Sequence, residues 1–85
     1  MRKTIFSKQS QRLCEFLVKL RQRAGLTQRQ LAKKLDREHN LIGRLELGER
    51  RLDVVEFYWV CKACSINPET AASELMRKFK GIEAE

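Results

Sequence analysis

Eighty-five residues, 42% of them apolar, fit one small globular domain rather than a disordered chain. No apolar run approaches the roughly 20 residues of a membrane span, and Met1-Arg2-Lys3-Thr4-Ile5-Phe6 is not followed by the apolar stretch of a signal peptide, so a cytoplasmic chain is expected. The formal charge of +7 is uneven, because residues 1–44 carry 12 Lys and Arg against 3 Asp and Glu, and residues 45–85 carry 6 against 8. A basic half suits a polyanion, whose phosphates release counterions when neutralised, and is equally the ordinary solvated surface of a small protein.

In chain order, residues 1–6 are expected to form a basic N-terminal arm, residues 7–80 the folded domain, and residues 81–85 a short tail. The first helix is predicted from Ser7, a good N-cap, to Ala24, with Leu13, Leu17, Leu20 and Ala24 on one stripe, Phe16 widening it, and Gly25 as the stop. Thr27 caps a second helix over Gln28 to Leu35, with Leu31, Ala32 and Leu35 inward and Ala32 small enough for a close crossing. Asp36 and Arg37 form the turn, since Asp tolerates unusual backbone angles. A third helix is predicted from Glu38 to Leu47, ended by Gly48. Asp53 and Glu56 make a capping box for the fourth, with Leu52 and Phe57 at the positions of a hydrophobic staple. That helix runs to about Cys64. Asn67 caps the fifth, with Pro68 at its first position and Ala72, Leu75, Met76 and Phe79 as its stripe. No strand alternation appears, so the expected fold is all-α with five helices.

The second and third helices, separated by a tight turn, have the layout of a unit that puts one helix into a DNA groove. With Ile42 and Leu45 facing the core and about 100° per residue, Asn40 points almost directly away, and Gly43 and Arg44 lie about 130° from inward on either side. Leu47 also points out, His39 sits at the N-terminal edge, and Glu46 and Leu41 lie at the flanks. Asn can bond adenine and Arg guanine bidentately, while His donates or accepts according to tautomer. Gly43 lowers helix propensity by about 1 kcal/mol against alanine and is useful where another surface approaches closely. Solvated polar side chains on an ordinary surface helix are the plain alternative.

Gly25-Leu26-Thr27-Gln28, Leu31-Ala32, and then Ile42, Leu45, Glu46 and Gly48 resemble the helix-turn-helix of the phage repressor and Cro type, the XRE family, over about residues 12–66. The resemblance implies a five-helix repressor-like domain whose third helix reads bases through His39, Asn40, Gly43 and Arg44. It implies a phosphate contact at Gln28, where a helix N-terminus is apt, and an ion pair between Arg21 and Glu46. Thr27, Gln28, Arg29, Arg37, Arg50 and Arg51 are the candidate phosphate contacts, although an arginine pair in a loop is often simply solvated. The sequence departs from the family at Asp36, where Gly is frequent, and at Leu41, where Ser or Thr is frequent and which offers either a thymine-methyl contact or packing. It departs again at Gly43, where a longer side chain is usual.

Cys61 and Cys64 form a CxxC and Cys14 stands alone. With no second Cys/His pair at ligand spacing and His39 the single histidine, core packing is the expectation, ahead of metal binding or redox use. Three free cysteines agree with a reducing compartment. Val54, Phe57, Val60, Cys61 and Cys64 suffice to bury the fourth helix, leaving Val55, Tyr58 and Trp59 outward as a dimer or partner surface. Alternatively, Trp59 folds beneath the arm, against Ile5 and Phe6, or beneath the tail.

The expected function is therefore a sequence-specific double-stranded-DNA-binding transcriptional regulator, a repressor acting as a homodimer on a palindromic operator. No cofactor, metal, membrane or small-molecule ligand is expected, and the chain is too short for an added effector domain. The alternative is a protein-interaction adaptor or antitoxin-type partner-binding protein reusing the fold through Val55, Tyr58 and Trp59. No nucleophile–base pair, paired carboxylates or phosphate loop appears, which argues against an enzyme.

Overall fold

A computed structural model describes residues 7–84. They form α1 (Lys8–Arg23), α2 (Gln28–Lys34), α3 (Leu41–Leu47), α4 (Val54–Ala63) and α5 (Pro68–Glu83), with no strand among them. The expected arm at residues 1–6, and with it the packing of Ile5 and Phe6 on Trp59, lies outside the described residues.

Each helix start except that of α3 is set by a side chain that satisfies an otherwise unpaired backbone N–H. The Ser10 amide donates to the Ser7 hydroxyl at 3.1 Å, and the Thr70 amide to the Asn67 carbonyl oxygen at 3.0 Å. At α4 the Glu56 amide donates to Asp53 at 2.7 Å while the Asp53 amide donates to Glu56 at 3.1 Å, a complete capping box. A second complete box joins Thr27 and Gln30 at α2. The Thr-x-x-Gln spacing signals it.

The first four helices end alike. In each, two successive amides beyond the helix fold back onto its last turn through a left-handed residue, the closure that seals helix carbonyls locally. The Gly25 and Leu26 amides donate to the Gln22 and Arg21 carbonyls, and the Asp36 and Arg37 amides to those of Lys33 and Ala32. The same pair of bonds follows Gly48 and Ser65. Two of these residues, Asp36 at φ 57° and Ser65 at φ 60°, take up this conformation without being glycine.

Helix α1 packs on α3 and α5, α2 on α3 and α4, and α4 on α5. One core results, built from Phe16, Leu17, Leu20, Leu31, Ala32, Leu41, Ile42, Leu45, Phe57, Val60, Cys61, Cys64, Ala71 and Leu75. Ala32 is fully buried, and Phe16 stacks on Phe57 with ring centroids 6.5 Å apart.

Four expectations change. Helix α3 begins at Leu41 rather than Glu38, so His39 and Asn40 lie in the turn before it. Val54, expected in the core, is 79% exposed at the first position of α4. Met76 is exposed, and α5 buries Ala71, Leu75 and Ile82 instead. Finally, Gly81 does not end α5. The helix continues to Glu83 and Ile82 is buried, seven residues beyond Leu75 on the same stripe, so the expected tail at 81–85 is in large part the last turn of the fold.

That last turn contributes packing. Ile82→Ala should lower stability by about 2 kcal/mol, at the low end for buried aliphatic truncations because the site lies at the edge of the core. Thermal unfolding checks this, and an unchanged melting temperature would restore the tail assignment.

Candidate nucleic-acid interface

The framework of the site is a polar network anchored on Glu46. The Arg21 Nε donates to one Glu46 oxygen at 2.7 Å and Nη2 to the other at 3.2 Å. This fork-on-carboxylate geometry is the strong form of an ion pair. Its side chains are only 15% and 7% exposed, so solvent screens it weakly. Arg21 Nη1 also donates to the Leu26 carbonyl at 3.0 Å, and Gln28 Nε2 donates to Glu46 at 2.8 Å. One carboxylate on α3 thus holds α1, and through Gln28 the start of α2.

The candidate reading face stands on that framework. Leu41, Ile42 and Leu45 are buried, so Leu41 packs and is not available to a thymine methyl. Gly43 is half-buried, while Arg44 and Leu47 are exposed, Leu47 to 73%. Asn40 is exposed at the N-cap position of α3, yet its side chain makes no capping hydrogen bond. His39 is exposed one residue earlier. The outward side therefore comprises two turn residues and the exposed part of a seven-residue helix.

Gly43 has a neighbour over its open side. A Cβ built there would lie 3.2 Å from the Gln28 Oε1. The surface that comes close to this glycine is a side chain of the same domain.

The candidate phosphate contacts divide by what they already hold. Arg29, Arg44 and Arg51 make no ion pair among the described residues, and Thr27 and Arg29 are exposed at the start of α2. The Thr27 amide is taken by Gln30, and its hydroxyl oxygen accepts from the Gln30 amide, which leaves the hydroxyl hydrogen to donate. Arg50 and Arg37 are committed differently. Arg50 grips Glu56 with two bonds at 3.0 and 2.8 Å, and Arg37 reaches the same carboxylate at 3.4 Å. These two arginines tie the turn before α3 and the loop before α4 to Glu56. Hydrogen bonding from Arg50 holds the Glu56 carboxyl down at about 2, against the opposing effect of its partial burial.

The cysteines are free thiols, with Cys61 and Cys64 buried and Cys14 half-buried with its thiol 3.5 Å from the Leu45 carbonyl. Burial pushes Cys61 up to about 11 and raises Cys64 and Cys14, so all three remain protonated and poorly nucleophilic near neutrality. Among the described residues no group of three or more His, Cys, Asp or Glu could hold a metal ion. On α4, Val55, Tyr58 and Trp59 are exposed, the two rings meeting edge to face at 5.0 Å. No described helix is long and apolar enough to cross a membrane.

Two short helices locked at a fixed angle, with an uncommitted Asn at the turn before the second and an uncommitted Arg on it, define a helix-turn-helix unit. The helix-turn-helix domain family matches residues 12–73 of the chain. An XRE-family like protein from Pseudomonas syringae pv. tomato str. DC3000 is 36% identical and superposes with a TM-score of 0.76, covering 82% of this chain and 85% of that one. No curated protein matches the chain. The chain belongs to the helix-turn-helix family, of the XRE type, and is a DNA-binding regulator of that class.

The Glu56 cluster has a pH signature. A carboxyl depressed in the folded state stabilises fully above the ordinary glutamate range, and that stability is lost as pH falls from about 4.5 towards 2. Glu56→Gln should lower the melting temperature at pH 7, and the gap to the unsubstituted protein should close on acidification through that window. A gap independent of pH would show that the Arg50 pair does not set this titration.

Proposed function

We propose that the protein is a sequence-specific double-stranded-DNA-binding transcriptional repressor, acting in the cytoplasm as a homodimer with α3 in the major groove of a palindromic operator. The observation that carries this reading is the exposed face made by Asn40, Arg44 and the neighbouring turn, uncommitted to any internal bond on an otherwise rigidly tied helix. Arg44 suits the O6 and N7 acceptors of guanine, Asn40 the N7 and N6 pattern of adenine, and His39 a flanking base or phosphate. Thr27, Arg29 and Arg51 supply phosphate contacts that set register without reading sequence. Arg37 and Arg50, held by Glu56, add to the positive field more than to specific contacts.

Dimerisation is supported by the exposed Val55, Tyr58 and Trp59 on α4. Trp59 borders a mainly apolar groove of about 190 Å³ lined by Leu35, Leu41, Leu45, Val55 and Val60, with the Arg37–Glu56 pair also on its wall. Two copies joined there would present two recognition helices to half-sites about one DNA turn apart. The same patch favours a second reading, a partner-binding protein of adaptor or antitoxin type, in which substitution of Asn40 and Arg44 leaves activity intact.

Selection of genomic fragments by the purified protein across a salt series tests the main reading. A palindromic motif is expected, and salt-sensitive binding without a motif would overturn sequence specificity. Within the motif, Arg44→Ala should lower specific affinity by about 1–3 kcal/mol; equal affinity for both proteins would remove α3 from the groove. Separately, Trp59→Ala should shift sedimentation towards monomer, and a dimer of undiminished strength would move the interface elsewhere.

A further inference from the structure

The absence of a side chain at Gly43 is filled from another helix. The Gln28 Oε1 lies 3.2 Å from where a residue-43 Cβ would stand, and its amide carbon lies 3.8 Å away. The Gln28 amide thus rests on α3 beside Gly43 and Glu46, in the space that a side chain from position 43 would otherwise enter. Its orientation is fixed. Only the NH₂ end of a carboxamide can donate to a carboxylate, and Nε2 is 2.8 Å from Glu46, which Arg21 holds in turn. The assignment of oxygen and nitrogen, often arbitrary for Gln, is therefore determined by its partner. What remains is the carbonyl oxygen as acceptor and one N–H as donor. With Glu46 on the N–H anti to the carbonyl, the syn N–H and Oε1 lie side by side and complement the N6 donor and N7 acceptor that adenine shows in the major groove.

We infer that Gln28, seated on Gly43 and oriented by Glu46, is a specificity-determining residue that reads an adenine in place of the missing residue-43 side chain. The inference rests on α3 lying in the groove. It assigns Gln28 a base where resemblance assigns a phosphate, and it gives Gly43 the role of a seat. Glu46 is then a positioning residue as well as half of an ion pair.

The test is selection from a randomised double-stranded DNA pool by the full chain and by Gln28→Ala, Gly43→Ala, Gly43→Leu and Gln28→Ala/Gly43→Leu. Gln28→Ala should lose about tenfold preference for A·T at one base pair and keep its preferences elsewhere. Gly43→Ala moves the amide by a few tenths of an ångström and should weaken preference at that same base pair partway, while Gly43→Leu occupies the seat and should abolish it. Adding Gly43→Leu to Gln28→Ala should cause no further loss there. Because the Gln28 side chain is exposed and can give those few tenths, Gly43→Ala should also raise the melting temperature, since alanine favours helix over glycine, which separates reading from folding. Uniform weakening of Gln28→Ala across all sequences would make Gln28 a phosphate contact and overturn the inference, as would unchanged preference in Gly43→Leu. An unsubstituted protein that selects no motif would instead overturn the DNA-reading proposal itself, and the inference with it.

Discussion

The bidentate pair between Arg21 and Glu46 is the constraint on which the rest of the site depends. α3 has seven residues, too few to be stable alone. Its position is set by Leu41, Ile42 and Leu45 beneath it and by this one ion pair at its C-terminal half. Arg21 bonds both the α3 carboxylate and the Leu26 carbonyl just before α2, so a single guanidinium gauges the angle between the two helices. Removing one member of so buried a pair characteristically costs about 3 kcal/mol, because the other charge is left without its partner. In an 85-residue domain that is a large share of total stability.

A division of labour among the cations follows. Arg21, Arg37 and Arg50 are paired with carboxylates that tie one segment of the fold to another, whereas Arg29, Arg44 and Arg51 have no such duty among the described residues. Net charge alone cannot show this division. The domain's basic half attracts a polyanion as a whole, but only the unpaired members can exchange water for phosphate or base without first breaking an internal bond. Glu56 illustrates the trade, since it caps α4 and collects two arginines, orienting the loop before α4.

Much of the architecture could be read from local chemistry. Ser7, Thr27, Asp53 and Asn67 are side chains that can bond the first free amides of a helix, and each does so. The boundary that escaped was at α3, where Asn40 precedes the helix in helix-like geometry, φ −89° and ψ −1°, and caps nothing. With no capping bond, no residue marks the start. The wheel built on Ile42 and Leu45 alone also left Leu41 at the flank, although three buried positions in five residues mean a wider inward arc. Gly81 misled because glycine stops a helix only where the backbone turns left-handed, and Gly81 is not among the positive-φ residues. Of the site, the side chains on the exterior were legible from period and type. The seating of Gln28 over Gly43 was not, because it joins positions fifteen residues apart through side-chain rotamers that no period encodes.

Asn40 starting α3 without capping it has a consequence for descent. Its amide plays no part in holding the helix, whose backbone is fixed from behind by the left-handed closure at Asp36 and from ahead by Leu41, Ile42 and Leu45. Positions 39 and 40 are thereby released from the demands of folding. Under the proposed DNA-reading role, side chains there can change what is recognised without removing a capping bond that α3 uses, so a new binding preference is within reach of single substitutions in a protein that still folds.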